Sequence, residues 1–312
     1  MDSATVERFE AGRGRLASLA YRLLGSAADA EDTVQDAFLR WQAADRERIA
    51  VPEAWLTKVV TNLCVDRLRS ARARHERAAG ARLPEPLLEG DPMLGPAETF
   101  EQRESVSLAV LILMERLSPV ERAAYVLREA FSYPHAEIAG ILGITESASQ
   151  QHVHRARRRI TTGRRGGDEA DAASARGIVE EFLAAATSGR TERLVAMLTA
   201  DATAVSDGYG LAGRLLRYDT PERIATHVRA GFKPTPGKRK LAGGSPAFHI
   251  APVNGSPAVL AVVDDRVVGA VAFEVRDGRI ASLHGIGAAD RLTRLDEGWR
   301  RHGPDTTVVT AW

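Results

Sequence analysis

The chain has one cysteine, Cys64, among 312 residues. An intrachain disulfide is therefore excluded, and a metal site would need other ligands. Charge excess is also missing: 42 Lys and Arg stand against 41 Asp and Glu, so overall charge does not mark out a polyanionic partner. No apolar run approaches the roughly 20 residues of a membrane span. The N-terminal MDSATVERFE is polar and lacks the hydrophobic stretch of a signal peptide. The expectation is a cytoplasmic protein with no membrane contact, no cofactor and no metal.

What the balance hides is distribution. Five Arg fall between Arg67 and Arg77, and six more between Arg155 and Arg165; such local patches are the footprint that phosphate binding needs. The second patch closes the stretch Ser132 to Ile160, which organises the reading of the whole chain. His135 to Leu142 puts Ile138, Ala139 and Leu142 on one helical face. Gly143 suits a sharp turn, Thr145 suits an N-cap, and Glu146 sits where a helix dipole favours an acid. In the next helix Ala148 and Val153 face back, and Gln150, Gln151, His152, His154, Arg155, Arg157, Arg158 and Arg159 lie opposite. Two short helices, a Gly-containing turn and a basic second helix make a helix-turn-helix. Gln and His read base edges, and Arg grips guanine or phosphate.

Before it, residues 5 to 78 read as helices. Phe9, Leu16, Leu19, Ala20, Leu23 and Leu24 form an apolar stripe ended by Gly25. Ser26 caps a helix with Val34, Ala37, Phe38 and Trp41 inward, and with Asp29, Asp32 and Asp36 sharing the outer face beside Gln35. Helix 53 to 70 buries Leu56, Val59, Val60, Leu63 and Cys64 and presents Lys58, Asn62, Asp66 and Arg69 as one polar stripe. A loop at 42 to 52 lies beside Trp41 and Trp55. Residues 79 to 99 hold four prolines and read as a stiff linker, although RLPEPLL is too apolar for a mere spacer and is expected to dock. Helices 100 to 116 and 119 to 130 follow. Beyond residue 172, helices 173 to 187, 191 to 199 and 221 to 231 surround a strand-like TAVSDGYG. Period-two runs follow in AVLAVV, VVGAVAFEV and IASLHGI, with Asp277-Gly278 between two of them as a hairpin signal.

On these residues the first half resembles a bacterial sigma factor of the extracytoplasmic-function group. DAEDTVQDAF, Asp29 to Phe38, resembles the helix that docks on RNA polymerase. AWLTKVVTNLCVDRLRS, Ala54 to Ser70, resembles the helix that meets the minus-ten element, and LSPVERAAYVLRE with the helix-turn-helix resembles the domain that reads the minus-35 element. The C-terminal part resembles the SnoaL-like fold, a helix-lined cone over a curved sheet, and Arg82 to Pro86 resembles the linker motif of factors that carry it. The family's Asp-Gly-Gly-Gly segment here reads Asp207-Gly208-Tyr209-Gly210, and Gln150 and His152 stand where relatives often place Arg.

The resemblance implies a multidomain chain: a helical domain at 1–78, a linker at 79–99, a second helical domain at 100–166 and an α+β SnoaL-like cone at 172–312. It implies that core RNA polymerase and promoter DNA are the partners. Asp29, Asp32, Gln35 and Asp36 would meet polymerase. Lys58, Asn62, Asp66, Arg69 and Arg72 would serve the minus-ten element, with Arg67 among the phosphate contacts. The loop at 42 to 52 would capture an unstacked base, and Leu83, Pro84, Glu85 and Pro86 would dock the linker. No catalysis is implied, the cone has room for a small-molecule ligand, and the fused domain is expected to modulate activity. The alternative is a helix-turn-helix regulator with a ligand-sensing or catalytic cone, in which Asp207, Tyr209, His227 and His284 would supply the reactive groups.

Overall fold

The computed structural model describes residues 3–75, 83–95, 105–163, 171–211 and 214–302. The chain divides into two compact units. One combines Met1–Ala78 with Gly90–Arg164, the other Ala79–Glu89 with Arg165–Trp312.

In the first unit α1 (Ser3–Leu24) buries Phe9, Leu16, Leu19, Ala20 and Leu23. Ser26 accepts a hydrogen bond from Asp29 N at 3.2 Å and so starts α2 (Ala27–Ala43). Pro52 opens α3 (Pro52–His75), where its missing N–H costs nothing. Leu56, Val60 and Cys64 are buried there, whereas Val59 and Leu63, expected beside them, are half-buried. Burial pushes the Cys64 thiol up to about 12, so the one cysteine is chemically inert at neutral pH. Ser107 caps α4 (Leu108–Met114), shorter than the helix expected over 100 to 116, whose first residues lie outside the described ones. The helices α5 (Pro119–Glu129), α6 (His135–Leu142) and α7 (Glu146–Gly163) complete the unit.

The two helical domains separated in the sequence reading fall into this one unit, and a polar seam explains why. Arg15 donates to the Tyr133 hydroxyl at 3.0 Å, and Thr57 Oγ1 lies 3.2 Å from the same oxygen. Buried Arg22 reaches Ser105 Oγ at 3.0 Å and Leu94 O at 2.8 Å, with its guanidinium over the Phe131 ring at 5.5 Å. Desolvation brings Arg22 down to about 10, so it is still a cation at neutral pH. Residues far apart in sequence thus converge on the turn Phe131-Ser132-Tyr133.

The second unit is α+β. Helices α8 (Ala172–Thr187) and α9 (Thr191–Ala196) precede β1 (Leu198–Ser206) and β2 (Leu216–Tyr218). Next come α10 (Pro221–Phe232) and α11 (Pro236–Ala242), then β3 (Ala247–Val253), β4 (Ser256–Val263), β5 (Arg266–Arg276) and β6 (Arg279–Ile286). A last helix, α12 (Ala289–His302), follows. The six-stranded sheet runs β2-β1-β6-β5-β4-β3, antiparallel except for the parallel pair β1 and β6. One sheet face packs Val259, Phe273, Val275 and Leu283 against Val179, Phe182 and Leu183 of α8 and Ile224 and Val228 of α10. Helix 191 to 199 of the sequence reading stops at Ala196 because Leu198 already pairs with Ile280 in the sheet.

Residues 83–89 belong to this unit, and residues 87–89 bond to β3, an edge strand, and to the turn that follows it. Leu87 N donates to Asn254 Oδ1 at 2.8 Å, Asn254 N to Leu87 O at 2.9 Å, and Glu89 N to Pro252 O at 3.1 Å, with Leu88 bridging Val253. Leu83 and Leu87 are buried, and Glu85 meets Arg291 at 3.3 Å in a buried ion pair.

Candidate nucleic-acid and polymerase interface

Local rules place α7. Gly143 takes the left-handed conformation (φ 65°, ψ 39°) that ends α6. Thr145 Oγ1 then accepts from Ala148 N at 3.1 Å. Val153, Ala156 and Ile160 bury one side of α7. The eight candidate contacts divide by what they already hold. Arg155 Nε donates to Glu121 Oε1 at 3.1 Å and Arg159 to Glu121 Oε2 at 2.7 Å. Arg157 reaches Glu129 at 2.8 Å and 3.1 Å. These three arginines therefore also seat α7 on α5. Gln150, Gln151, His154 and Arg158 are exposed, with no side-chain bond to another described residue. His152 is half-buried, and its Nδ1 accepts from Arg155 Nη2 at 2.9 Å. Its imidazole is held below the ordinary value by burial first and Arg155 second, against the pull of Glu121.

Glu121 ties this region together. Ser118 N donates to Glu121 Oε2 at 3.0 Å and Glu121 N to Ser118 Oγ at 3.3 Å, a complete capping box at the start of α5. Burial raises the Glu121 carboxyl, but the Ser118 hydrogen bonds and the Arg159 and Arg155 guanidinia outweigh it and leave it below the usual range.

On α2, Asp29, Asp32 and Gln35 are exposed and Asp36 is half-buried. Arg67 of α3 lies among the three carboxylates, 3.7 Å from Asp29, 4.0 Å from Asp32 and 2.9 Å from Asp36. Arg67 is therefore engaged with the acidic face. Leu39, 56% exposed and three residues beyond Asp36, adds an apolar group that the sequence reading missed. On α3, Lys58, Asp66 and Arg69 are exposed and Asn62 is half-buried, with Arg69 paired to Asp66 at 3.5 Å. Arg72 falls in α3, but its side chain lies outside the described residues. Trp41, in α2, is buried, and its ring centroid stands 5.7 Å from that of half-buried Trp55, so Trp41 serves the core.

Comparison with known proteins follows this geometry closely. Sigma-70 region 2 matches residues 8–74, and Sigma-70, region 4 matches residues 107–160. The ECF RNA polymerase sigma factor SigJ of Mycobacterium tuberculosis is 37% identical over 297 residues, 92% of this chain and 93% of that protein. The chain belongs to the ECF RNA polymerase sigma factors. A second relative, probable ECF RNA polymerase sigma factor SigI of the same organism, is 32% identical over 282 residues, covering 88% of this chain and 90% of its own length. The crystal structure of M. tuberculosis SigJ superposes with a TM-score of 0.69 at 33% identity, covering 93% of this chain and 98% of that one. Like its family, this sigma factor binds core RNA polymerase and promoter DNA and directs transcription initiation.

The sigma factor's α+β unit puts the candidate reactive groups to separate uses. The Asp207 carboxylate accepts from Gly287 N at 3.0 Å, Ala288 N at 2.9 Å and Tyr209 N at 2.9 Å, a backbone-capping role at the start of α12. Gly208, Tyr209 and Gly210 all have positive φ (58°, 60° and 71°), so the expected strand ends at Ser206 and a left-handed turn replaces its tail. His227 stacks on Tyr218 with centroids 4.3 Å apart, and His284 is buried in β6. Burial lowers both imidazoles, with Lys238 assisting at His227 and Glu274 opposing at His284. Among the described residues no helix is long and apolar enough to cross a membrane, and no His, Cys, Asp and Glu group has metal-site geometry.

Proposed function

We propose that this sigma factor divides its contacts among three helices and is regulated from within its own chain. The face of α2 bearing Asp29, Asp32, Gln35, Asp36 and Leu39 docks on polymerase. The stripe Lys58, Asn62, Asp66 and Arg69, with Arg72, serves the minus-ten element. On α7, Gln150, Gln151 and His152 read the minus-35 element, Arg158 and His154 hold the backbone, and Arg155, Arg157 and Arg159 set the helix. The protein acts in the cytoplasm, where polymerase and promoter meet.

The observation behind self-regulation is the linker. Residues 87–89 pair with the edge of the second unit's sheet and its turn, so that unit governs how much chain is free between the two sigma regions. Burying Leu83 and Leu87 favours the paired state by roughly 1.5–3 kcal/mol per side chain, enough to bias a two-state population strongly. We attribute regulation to this strand, because it is the contact through which the second unit holds the linker.

The test is in vitro transcription with equal amounts of folded full-length protein, an LPEP→GSGS variant at residues 83–86, and a truncation ending near residue 166. Both changes should alter promoter output in the same direction. Equal output from all three would make the second unit a passenger.

A further inference from the structure

The placement of His152 carries the reading of α7 one step further. Arg155 has only donors to offer. Its Nη2 lies 2.9 Å from His152 Nδ1, so that nitrogen must carry the lone pair, and in the neutral ring the proton is on Nε2. Arg155 is itself fixed, because its Nε is bound to Glu121 Oε1 at 3.1 Å. Glu121 is fixed in turn by the Ser118 capping box. A chain of bonds from the start of α5 thus sets the tautomer of a histidine on the recognition helix.

We infer that His152 is a specificity-determining residue that donates from Nε2 to an acceptor atom in the major groove. Purine N7, guanine O6 and thymine O4 are the acceptors there; the cytosine N4 and adenine N6 amino groups point their own protons at the ring and are refused. Arg155 is the positioning residue. The neutral ring is maintained at physiological pH by its burial and by the Arg155 charge, with Glu121 the opposing group on α5. His152 is hence a directional donor and not a diffuse cation. The inference rests on α7 being the minus-35 reader.

The experiment selects randomised duplexes on holoenzyme assembled from purified core polymerase and the full-length chain. His152→Ala should flatten the preference at one base pair of the selected minus-35 element. At that pair, an analogue lacking N7, O6 or O4 should weaken wild-type binding about three- to tenfold, the range of one hydrogen bond, and should leave H152A unaffected. An analogue lacking only the amino group should leave both unaffected. His152→Gln, which keeps a donor near the Nε2 position, should retain the preference, and Arg155→Met should broaden it at the same pair. A preference that depends on the amino group, or one equally sharp in R155M, overturns the proposal. If H152A leaves the motif unchanged while Gln150→Ala alters it, His152 alone is misassigned. If neither variant changes the motif, α7 is not the reader and both readings fall.

Discussion

Glu121→Ala is expected to lower the stability of the helical unit by about 2–3 kcal/mol and to take minus-35 recognition with it. Three contributions meet in one carboxylate that is 7% exposed. Its half of the capping box is worth about 1 kcal/mol. The hydrogen bonds from Arg155 and Arg159 are charge-assisted, but those side chains are 46% and 53% exposed, so solvent screening cuts each to about 1 kcal/mol or less. Removing the carboxylate also unseats α7 from α5. Thermal melting should register a fall of roughly 5–10 °C. The pH dependence gives a second handle. The folded Glu121 carboxyl lies below its unfolded value, so its contribution is complete above the unfolded value and fades as pH falls through the folded one. Glu121→Gln should therefore remove part of the acid destabilisation of the wild type, with little further loss below that window. A melting temperature unchanged in E121A would show that the capping box and both arginine contacts are dispensable.

Asp32→Lys together with Asp36→Lys is expected to weaken binding to core polymerase by roughly 10- to 100-fold, since charges at an interface rim act on encounter and like charges repel. Exposed charge changes usually cost under about 0.5 kcal/mol of stability, but Lys at 36 would face Arg67, which holds Asp36 at 2.9 Å. Arg67→Gln is therefore the informative companion. It frees all three carboxylates and should leave duplex promoter affinity unchanged, because Arg67 is occupied by the acidic face. Undiminished co-purification of the double-lysine variant with polymerase would remove α2 from the docking surface. A drop in DNA affinity in R67Q would return Arg67 to the phosphate contacts.

Much of this was legible because local rules act over three or four residues. The turn at Gly143, the cap at Thr145 and the basic face of α7 follow from spacing alone, and so do the acidic face of α2 and the exposed stripe of α3. What spacing cannot show is which charged groups are already paired. Glu121 lies 34 and 38 residues from the arginines it binds, and Leu87 lies 167 from Asn254; no periodicity connects them. So Arg155, Arg157 and Arg159 read only as DNA contacts, although they also brace α7 against α5. Other signals were present and went unread. Asn254-Gly255, with φ of 51° and 75°, is as strong a hairpin turn as Asp277-Gly278. Ser118-x-x-Glu121 is a capping-box pattern. Helix α12 follows an apolar strand run so closely that its start is set by the distant Asp207 carboxylate. The left-handed turn at Tyr209 was hidden because a tyrosine stands where glycine is the usual occupant.

On this account α7 chooses the promoter through Gln150, Gln151 and His152, which do not brace it against α5. Run-off transcription from a genomic fragment library, with purified core polymerase and either wild type or Gln150→Ala, tests it most directly. The wild type should yield transcripts from fragments that share a two-part motif, and Q150A should relax one base position in the minus-35 part alone, a loss of roughly 1–3 kcal/mol for a bidentate contact. An unaltered minus-35 motif, or an equal loss at every position, would contradict the account.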